Sequence, residues 1–234
     1  MGHRSASGHR RTRTGAALAA LVATTCFGTL ATSFTIADAA PLAIGTTANA
    51  VGSRVRVNDP VAALALEAVA HLRTYLDTPG GDNAVMTAYQ ASRDQIATEL
   101  ANRLGIEPMR MITAWQNADI PHQMALMAAF TQLGVPYRRN TSKAGEGFDC
   151  SGLTTYAWGV AGTTLTRQSG VQIRNAAARN IDTAMAGDLV YYPGHVMLWL
   201  GVDTAIVHSP YTGRNVEVDT ITKRRSARFG NPIG

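Results

Sequence analysis

Cys150 and two histidines, His195 and His208, carry the side chains in this sequence best suited to nucleophilic chemistry. A thiol nucleophile needs an imidazole to take its proton and to protonate the leaving amine, and that imidazole needs a polar partner to orient it. Cys150 stands in Gly147-Phe148-Asp149-Cys150-Ser151-Gly152-Leu153, ahead of Thr154-Thr155-Tyr156-Ala157-Trp158, whose apolar positions suit a buried helix. The cysteine is therefore expected at a helix N-terminus, where free N–H groups and the helix dipole lower a thiol pKa and supply donors for an oxyanion. Asp149 is placed to cap that helix. The bland alternative for Cys150 is a small buried hydrophobe.

The histidines sit at strand ends. His195 opens Val196-Met197-Leu198-Trp199-Leu200, and His208 closes Ala205-Ile206-Val207. A tight turn around Gly201-Val202-Asp203-Thr204 that pairs residue 200 with 203 sets 195 opposite 208, which makes the two rings neighbours.

The elements that position these groups change character along the chain. Asp59-Pro60 reads as a helix start, followed by an apolar stripe at Leu64, Ala68, Leu72 and Leu76 and a stop at Thr78-Pro79-Gly80-Gly81. A second helix runs from about Asn83 to Leu104 and ends near Gly105; Ile120-Pro121 opens another, Met124 to Leu133, closed by Gly134. His71 and His122 in this half read as packing or surface residues. After Cys150 the runs 188–191, 196–200 and 205–207 are short, β-favouring and separated by turn residues, the pattern of an antiparallel sheet. The fold class expected is α+β, with a helical hairpin segment at 58–118 and a catalytic domain at 119–234.

The first residues read differently. Arg4, Arg10, Arg11 and Arg13 precede an uncharged apolar run from Gly15 to Leu30, and Ala37-Asp38-Ala39 offers a cleavage site. The run is too short to span a bilayer. Residues 1–39 are expected to be a signal peptide for export and 40–57 a flexible lead-in, with no stable membrane insertion once the leader is removed. Removal takes Cys26 with it and leaves Cys150 as a lone thiol, unable to form an internal disulfide.

The net charge of +5 divides unevenly: residues 1–39 carry +3 and residues 134–234 carry +4, with an acidic stretch between. A surplus of this size suits an anionic polymer and is too small to indicate nucleic acid. No nucleotide loop, cofactor motif or metal-ligand cluster is legible, so neither a cofactor nor a metal is expected.

Taken in order, several segments resemble the NlpC/P60 peptidases, a circularly permuted branch of the papain-like fold. They are 133–137 (Leu-Gly-Val-Pro-Tyr), 148–153 (Phe-Asp-Cys-Ser-Gly-Leu), 165–169 (Leu-Thr-Arg-Gln-Ser), 186–190 (Ala-Gly-Asp-Leu-Val), His195-Val196 and 207–209 (Val-His-Ser). The resemblance implies that Cys150 attacks the scissile carbonyl, that His195 is general base and acid, and that His208 orients His195. It implies an oxyanion-site role for Tyr137, and substrate-binding or supporting roles for Asp149, Ser151 and Arg167. Peptidoglycan is the implied partner, cut in its peptide stems, often between D-glutamate and diaminopimelate.

Arg138-Arg139-Asn140 departs from the family pattern of an aromatic and paired glycines after Pro-Tyr, which bears on the groove wall and substrate preference. Two other readings stay open on the sequence. One is an amidase, acyltransferase or toxin-like effector using the same thiol and histidine; the other is a noncatalytic wall-binding protein.

Overall fold

Acidic N-caps decide where the first four helices begin. The computed structural model describes residues 59–221 and 227–234; the expected leader with Cys26, and the expected lead-in, lie outside the described residues. Helix α1 (Pro60–Asp77) starts where Asp59 accepts from the Val61 N–H, and α2 (Asn83–Leu104) is capped by Asp82 and ends at Gly105, φ 66°. Helix α3 (Pro108–Gln116) is capped by Glu107 and α4 (Ile120–Phe130) by Asp119.

The stripe on α1 is rotated from the expected one. Val61, Ala65, Ala68, Val69 and Leu72 are buried, while Leu76 is 54% exposed. Every residue of α4 from His122 to Phe130 is buried. That helix packs against α1 on one side and α5 (Cys150–Val160) on the other, so no face of it is left for solvent.

A short hairpin, β1 (Ser142–Lys143) and β2 (Gly147–Phe148), leads into α5; α6 (Ser169–Asn175) follows it. The main sheet holds six antiparallel strands: β3 (Ala177–Arg179), β4 (Leu189–Tyr192), β5 (His195–Trp199), β6 (Ala205–His208), β7 (Glu217–Thr220) and β8 (Arg228–Asn231). Their spatial order is β3-β8-β4-β5-β6-β7. The class is α+β, as the sequence leads one to expect.

Register differs from the expected hairpin by two residues. Leu198 pairs with Val207 and Trp199 with Ile206, so residue 208 faces residue 197 rather than 195. The connection is wider than a tight turn: Leu200 donates to the Ala205 carbonyl, and Gly201 and Asp203 both take positive φ. Side chains alternate with a period of two, so an even slip keeps every residue on its face, whereas a slip of one exchanges the faces. His195 and His208 therefore remain on the same face of the sheet, as diagonal neighbours.

Both faces of the sheet are apolar. Leu189, Val196, Leu198 and Val207 join α1, α2, α4 and α5 in one core that runs from Val61 to Val216. Val190, Met197, Trp199, Ile206 and Phe229 form a second cluster on the opposite face. Burying each large apolar side chain contributes roughly 1.5–3 kcal/mol. Helices α1 to α3 share this core with the sheet, and Trp115 of α3 donates its Nε1–H to the Leu200 carbonyl at 2.9 Å.

His122 pins the sheet to α4. Its ring is fully buried, with Nδ1 2.6 Å from Asp119 Oδ1 and Nε2 3.0 Å from Asp188 Oδ1, and its edge meets the Trp158 ring at 4.8 Å. Burial alone lowers its pKa, but hydrogen bonds to Asp188 and Asp119 outweigh that and raise it above the ordinary imidazole value. Gly187, φ 99°, lies so close that a Cβ there sits 2.9 Å from the His122 carbonyl oxygen. Asp188 immediately precedes β4, so this contact fixes the root of the hairpin that carries His195. Among the described residues, no helix is long and apolar enough to cross a membrane.

Candidate active site

Cys150 is the first residue of α5, half-buried and not in a disulfide. Asp149 caps the helix by accepting from the Gly152 N–H at 2.6 Å. Gly152 permits this geometry because a Cβ there meets the Thr141 carbonyl oxygen at 2.0 Å.

The thiol itself departs from expectation. Burial pushes its pKa above the ordinary value; backbone N–H groups of Val196, Ser151 and Cys150 pull it back only in part, and the Asp149 charge works with burial. The helix N-terminus does supply donors, but desolvation of a sulfur wedged against β5 outweighs them, so the expected lowering is not found. Contact with the Val196 amide places the sulfur against the residue that follows His195.

His195, half-buried, begins β5, and His208, 8% exposed, ends β6. His195 Nε2 lies 2.9 Å from His208 Nδ1, with the rings at 73° to one another. Burial lowers the pKa of both rings to about 4; for His195 the neighbouring His208 adds to this, and for His208 the pull of Asp219 is offset by Arg214. Both imidazoles are neutral at neutral pH. Nε2 is thus the ring nitrogen of His195 that faces His208, and Nδ1 is not part of that contact.

Tyr137 reaches the site along an irregular segment. Its N–H donates to the Arg214 carbonyl at 2.9 Å and it bridges to Phe148 two residues before Cys150. Burial raises its pKa, and the thiol and Asp149 charges raise it further against the opposing pull of Arg139, so the phenol keeps its proton.

Asp149, Ser151 and Arg167 form a closed network. Arg167 Nη2 lies 3.0 and 2.9 Å from the two Asp149 oxygens and its Nη1 donates to Ser151 Oγ at 3.2 Å, while Ser151 Oγ donates to the Arg167 carbonyl at 2.7 Å. These three line a cleft of about 520 Å³ together with Asn140 and Gln168. A larger cavity, about 610 Å³, lies between α3 and the 201–203 turn and holds none of the expected site residues.

Three residues at the site were given no role from the sequence, Ser209 having been read only as part of the 207–209 segment. Tyr192 pairs with His195 across the β4–β5 turn, and the rings sit 5.5 Å apart. Ser209 donates to the Phe148 carbonyl at 2.7 Å, tying the end of β6 to the approach of the cysteine. Glu217 pairs with His208 in register, with its Oε1 3.5 Å from His208 Nε2. Among the described residues, His208, Glu217 and Asp219 offer ligand atoms within 4.8 Å of one another, a grouping the sequence reading did not anticipate. It arises from the β6–β7 register, and β7 carries too weak an apolar pattern to be seen in advance.

The site thus sets a thiol at the head of α5 beside an antiparallel sheet that carries a histidine pair. Residues 134–229 match the NlpC/P60 family. The chain is 36% identical over 94 residues to a gamma-D-glutamyl-L-lysine dipeptidyl-peptidase of Bacillus cereus, covering 37% of this chain and 28% of that protein. It is 34% identical over 131 residues to the peptidoglycan endopeptidase RipB of Mycobacterium tuberculosis, covering 48% and 53%. An NlpC/P60 family protein from Bacillus cereus, of known crystal structure, aligns at 28% identity and a TM-score of 0.43 over 47% of this chain and 39% of that one. The chain thus spans about half or less of the length of the curated relatives it matches.

Proposed function

We propose that the protein is an exported cysteine peptidase that hydrolyses peptide bonds in the stems of peptidoglycan, at the bond from D-glutamate to diaminopimelate. The observation that carries the reading is the 2.9 Å contact between His195 Nε2 and His208 Nδ1, on a strand whose next amide reaches the Cys150 sulfur. In this reading His208 fixes the His195 ring, and His195 Nδ1 takes the thiol proton as the sulfur attacks the scissile carbonyl. His195 then protonates the leaving amine, and water hydrolyses the thioester with His195 as base.

A buried thiol beside a neutral imidazole favours proton transfer concerted with attack over a resting thiolate–imidazolium pair. The Cys150 backbone N–H at the head of α5 and the protonated Tyr137 phenol are the donors assigned to the oxyanion. Arg167 at the cleft, with Arg138 and Arg139 following Tyr137 in sequence, suits an acidic stem. Names of the two relatives, a gamma-D-glutamyl dipeptidyl-peptidase and a peptidoglycan endopeptidase, support the same substrate class. Export by the leader at 1–39 belongs to this proposal.

The test is incubation of purified protein with peptidoglycan. New amino termini are expected from the wild type and none from Cys150→Ala; equal release from both overturns the reading.

A further inference from the structure

Within the site, the end of β6 holds a polar atom that the proposed reaction leaves unexplained. His208 is 8% exposed, and its Nε2 is fully buried without a hydrogen bond. The nearest acidic group is Glu217 Oε1 at 3.5 Å, and cross-strand pairing of His208 with Glu217 holds the two together. A buried, unpartnered ring nitrogen costs about 1–3 kcal/mol, so the placement calls for a reason.

We propose that Glu217 is a positioning residue that fixes the tautomers of the histidine pair, through the carboxylate held beside His208 Nε2. This rests on the peptidase reading and extends it by one residue. A carboxylate oxygen 3.5 Å away repels a lone pair on Nε2 and attracts a proton there. With its proton on Nε2, His208 has a lone pair at Nδ1, which accepts the Nε2–H of His195 across the 2.9 Å contact. His195 then carries its own lone pair on Nδ1, the form needed to take a proton from Cys150. The order along the line is carboxylate, His208, His195, thiol, with each ring donating away from the thiol and accepting toward it.

Arg214 holds the carboxylate in place. It pairs with both Glu217 oxygens through Nε and Nη2, and its guanidinium lies over the Tyr211 ring at 5.7 Å. Commitment of both oxygens to a guanidinium also argues against a cation among His208, Glu217 and Asp219, where two carboxylates have to turn inward together.

The test uses the full chain carrying Cys26→Ser, so that Cys150 is the sole thiol, with and without Glu217→Gln. Nitrogen-15 shifts of the two rings at neutral pH are expected to place the proton on Nε2 of both in the starting protein. In Glu217→Gln the His208 proton is expected to divide between Nδ1 and Nε2. The alkylation rate of Cys150 by iodoacetamide should fall about tenfold, the factor that roughly 1.4 kcal/mol of lost coupling gives.

On stem peptides kcat should fall by a similar factor with KM unchanged. Unaltered ring shifts in a folded Glu217→Gln protein overturn the proposal. If that variant does not fold, a His208 proton found on Nδ1 in the starting protein overturns it instead. Zinc-dependent ring shifts, abolished by Asp219→Asn, also overturn it in favour of a cation. A starting protein with the expected tautomers but no hydrolysis of any stem peptide defeats the peptidase reading and leaves the role of Glu217 standing.

Discussion

Replacing His122 with leucine is expected to be among the most destabilising single changes available to this protein, although the residue touches no part of the reactive site. The ring is fully buried between Asp119 and Asp188, and Asp188 is itself fully buried. Without the imidazole, the Asp188 carboxylate keeps the Met185 N–H at 2.9 Å as its remaining hydrogen-bond donor. Leaving a buried charge uncompensated costs about 3–5 kcal/mol. For a chain of this length each kcal/mol moves the melting temperature by about 2–4 °C, so a drop of roughly 6–20 °C is expected.

The assay is reversible thermal unfolding followed by circular dichroism, with Asp188→Asn and the double variant to complete the cycle. Asp188→Asn removes the stranded charge, so the double variant should recover more than half of the loss. The pH dependence has a defined sign. The folded-state pKa of His122 is raised, so its stabilisation is fully present below the unfolded value of about 6.5 and is lost as pH rises through the folded pKa. The gap between wild type and His122→Leu should therefore narrow in alkali. A loss below about 1 kcal/mol, or an equal loss when Asp188 is already Asn, means that the His122–Asp188 contact does not hold the fold in this way.

Other consequences follow from the same geometry. Gly152→Ala forces a Cβ to within 2.0 Å of the Thr141 carbonyl, and should abolish alkylation of Cys150 or unfold the head of α5; near-wild-type reactivity contradicts that packing. His195 and His208 have folded pKa values of about 4, so their contribution is present above the unfolded value of about 6.5 and is lost as pH falls toward 4. Urea titrations should show an acid loss on the order of 3 kcal/mol for the first ring protonated, the second being coupled to it, and His208→Gln should flatten the curve. Arg167→Ala removes a partly exposed pair with Asp149, so stability should change by no more than about 1 kcal/mol, while KM for acidic stem peptides rises.

The meeting of the two histidines was more legible than what supports it. Caps at Asp59 and Asp149 and the stop at Gly105 are local signals, written in side chains that satisfy helix-end N–H groups or tolerate left-handed backbone, and the structure follows each of them. That His195 and His208 meet was also readable, because strand periodicity preserves the face even where the connection takes up two further residues. What depends on partners distant in sequence was hidden. His122 reads as an ordinary helix residue until Asp188, sixty-six positions away, arrives at its ring. The raised thiol pKa follows from desolvation against β5, which overrides the local helix-end effect that the sequence displays. Strand β7, half exposed and carrying Glu217 and Asp219, has no apolar alternation to announce it.

In the proposed reaction Cys150 hydrolyses a stem peptide with the histidine pair behind it. The direct measurement is digestion of a defined stem peptide containing D-glutamate linked to diaminopimelate, in water enriched in oxygen-18, read by mass spectrometry. One cut is predicted, at that bond, with a single heavy oxygen in the new D-glutamate carboxylate, and no cut from Cys150→Ala. A folded wild type that leaves the peptide intact, or a Cys150→Ala protein that cuts it equally well, overturns the proposed reaction.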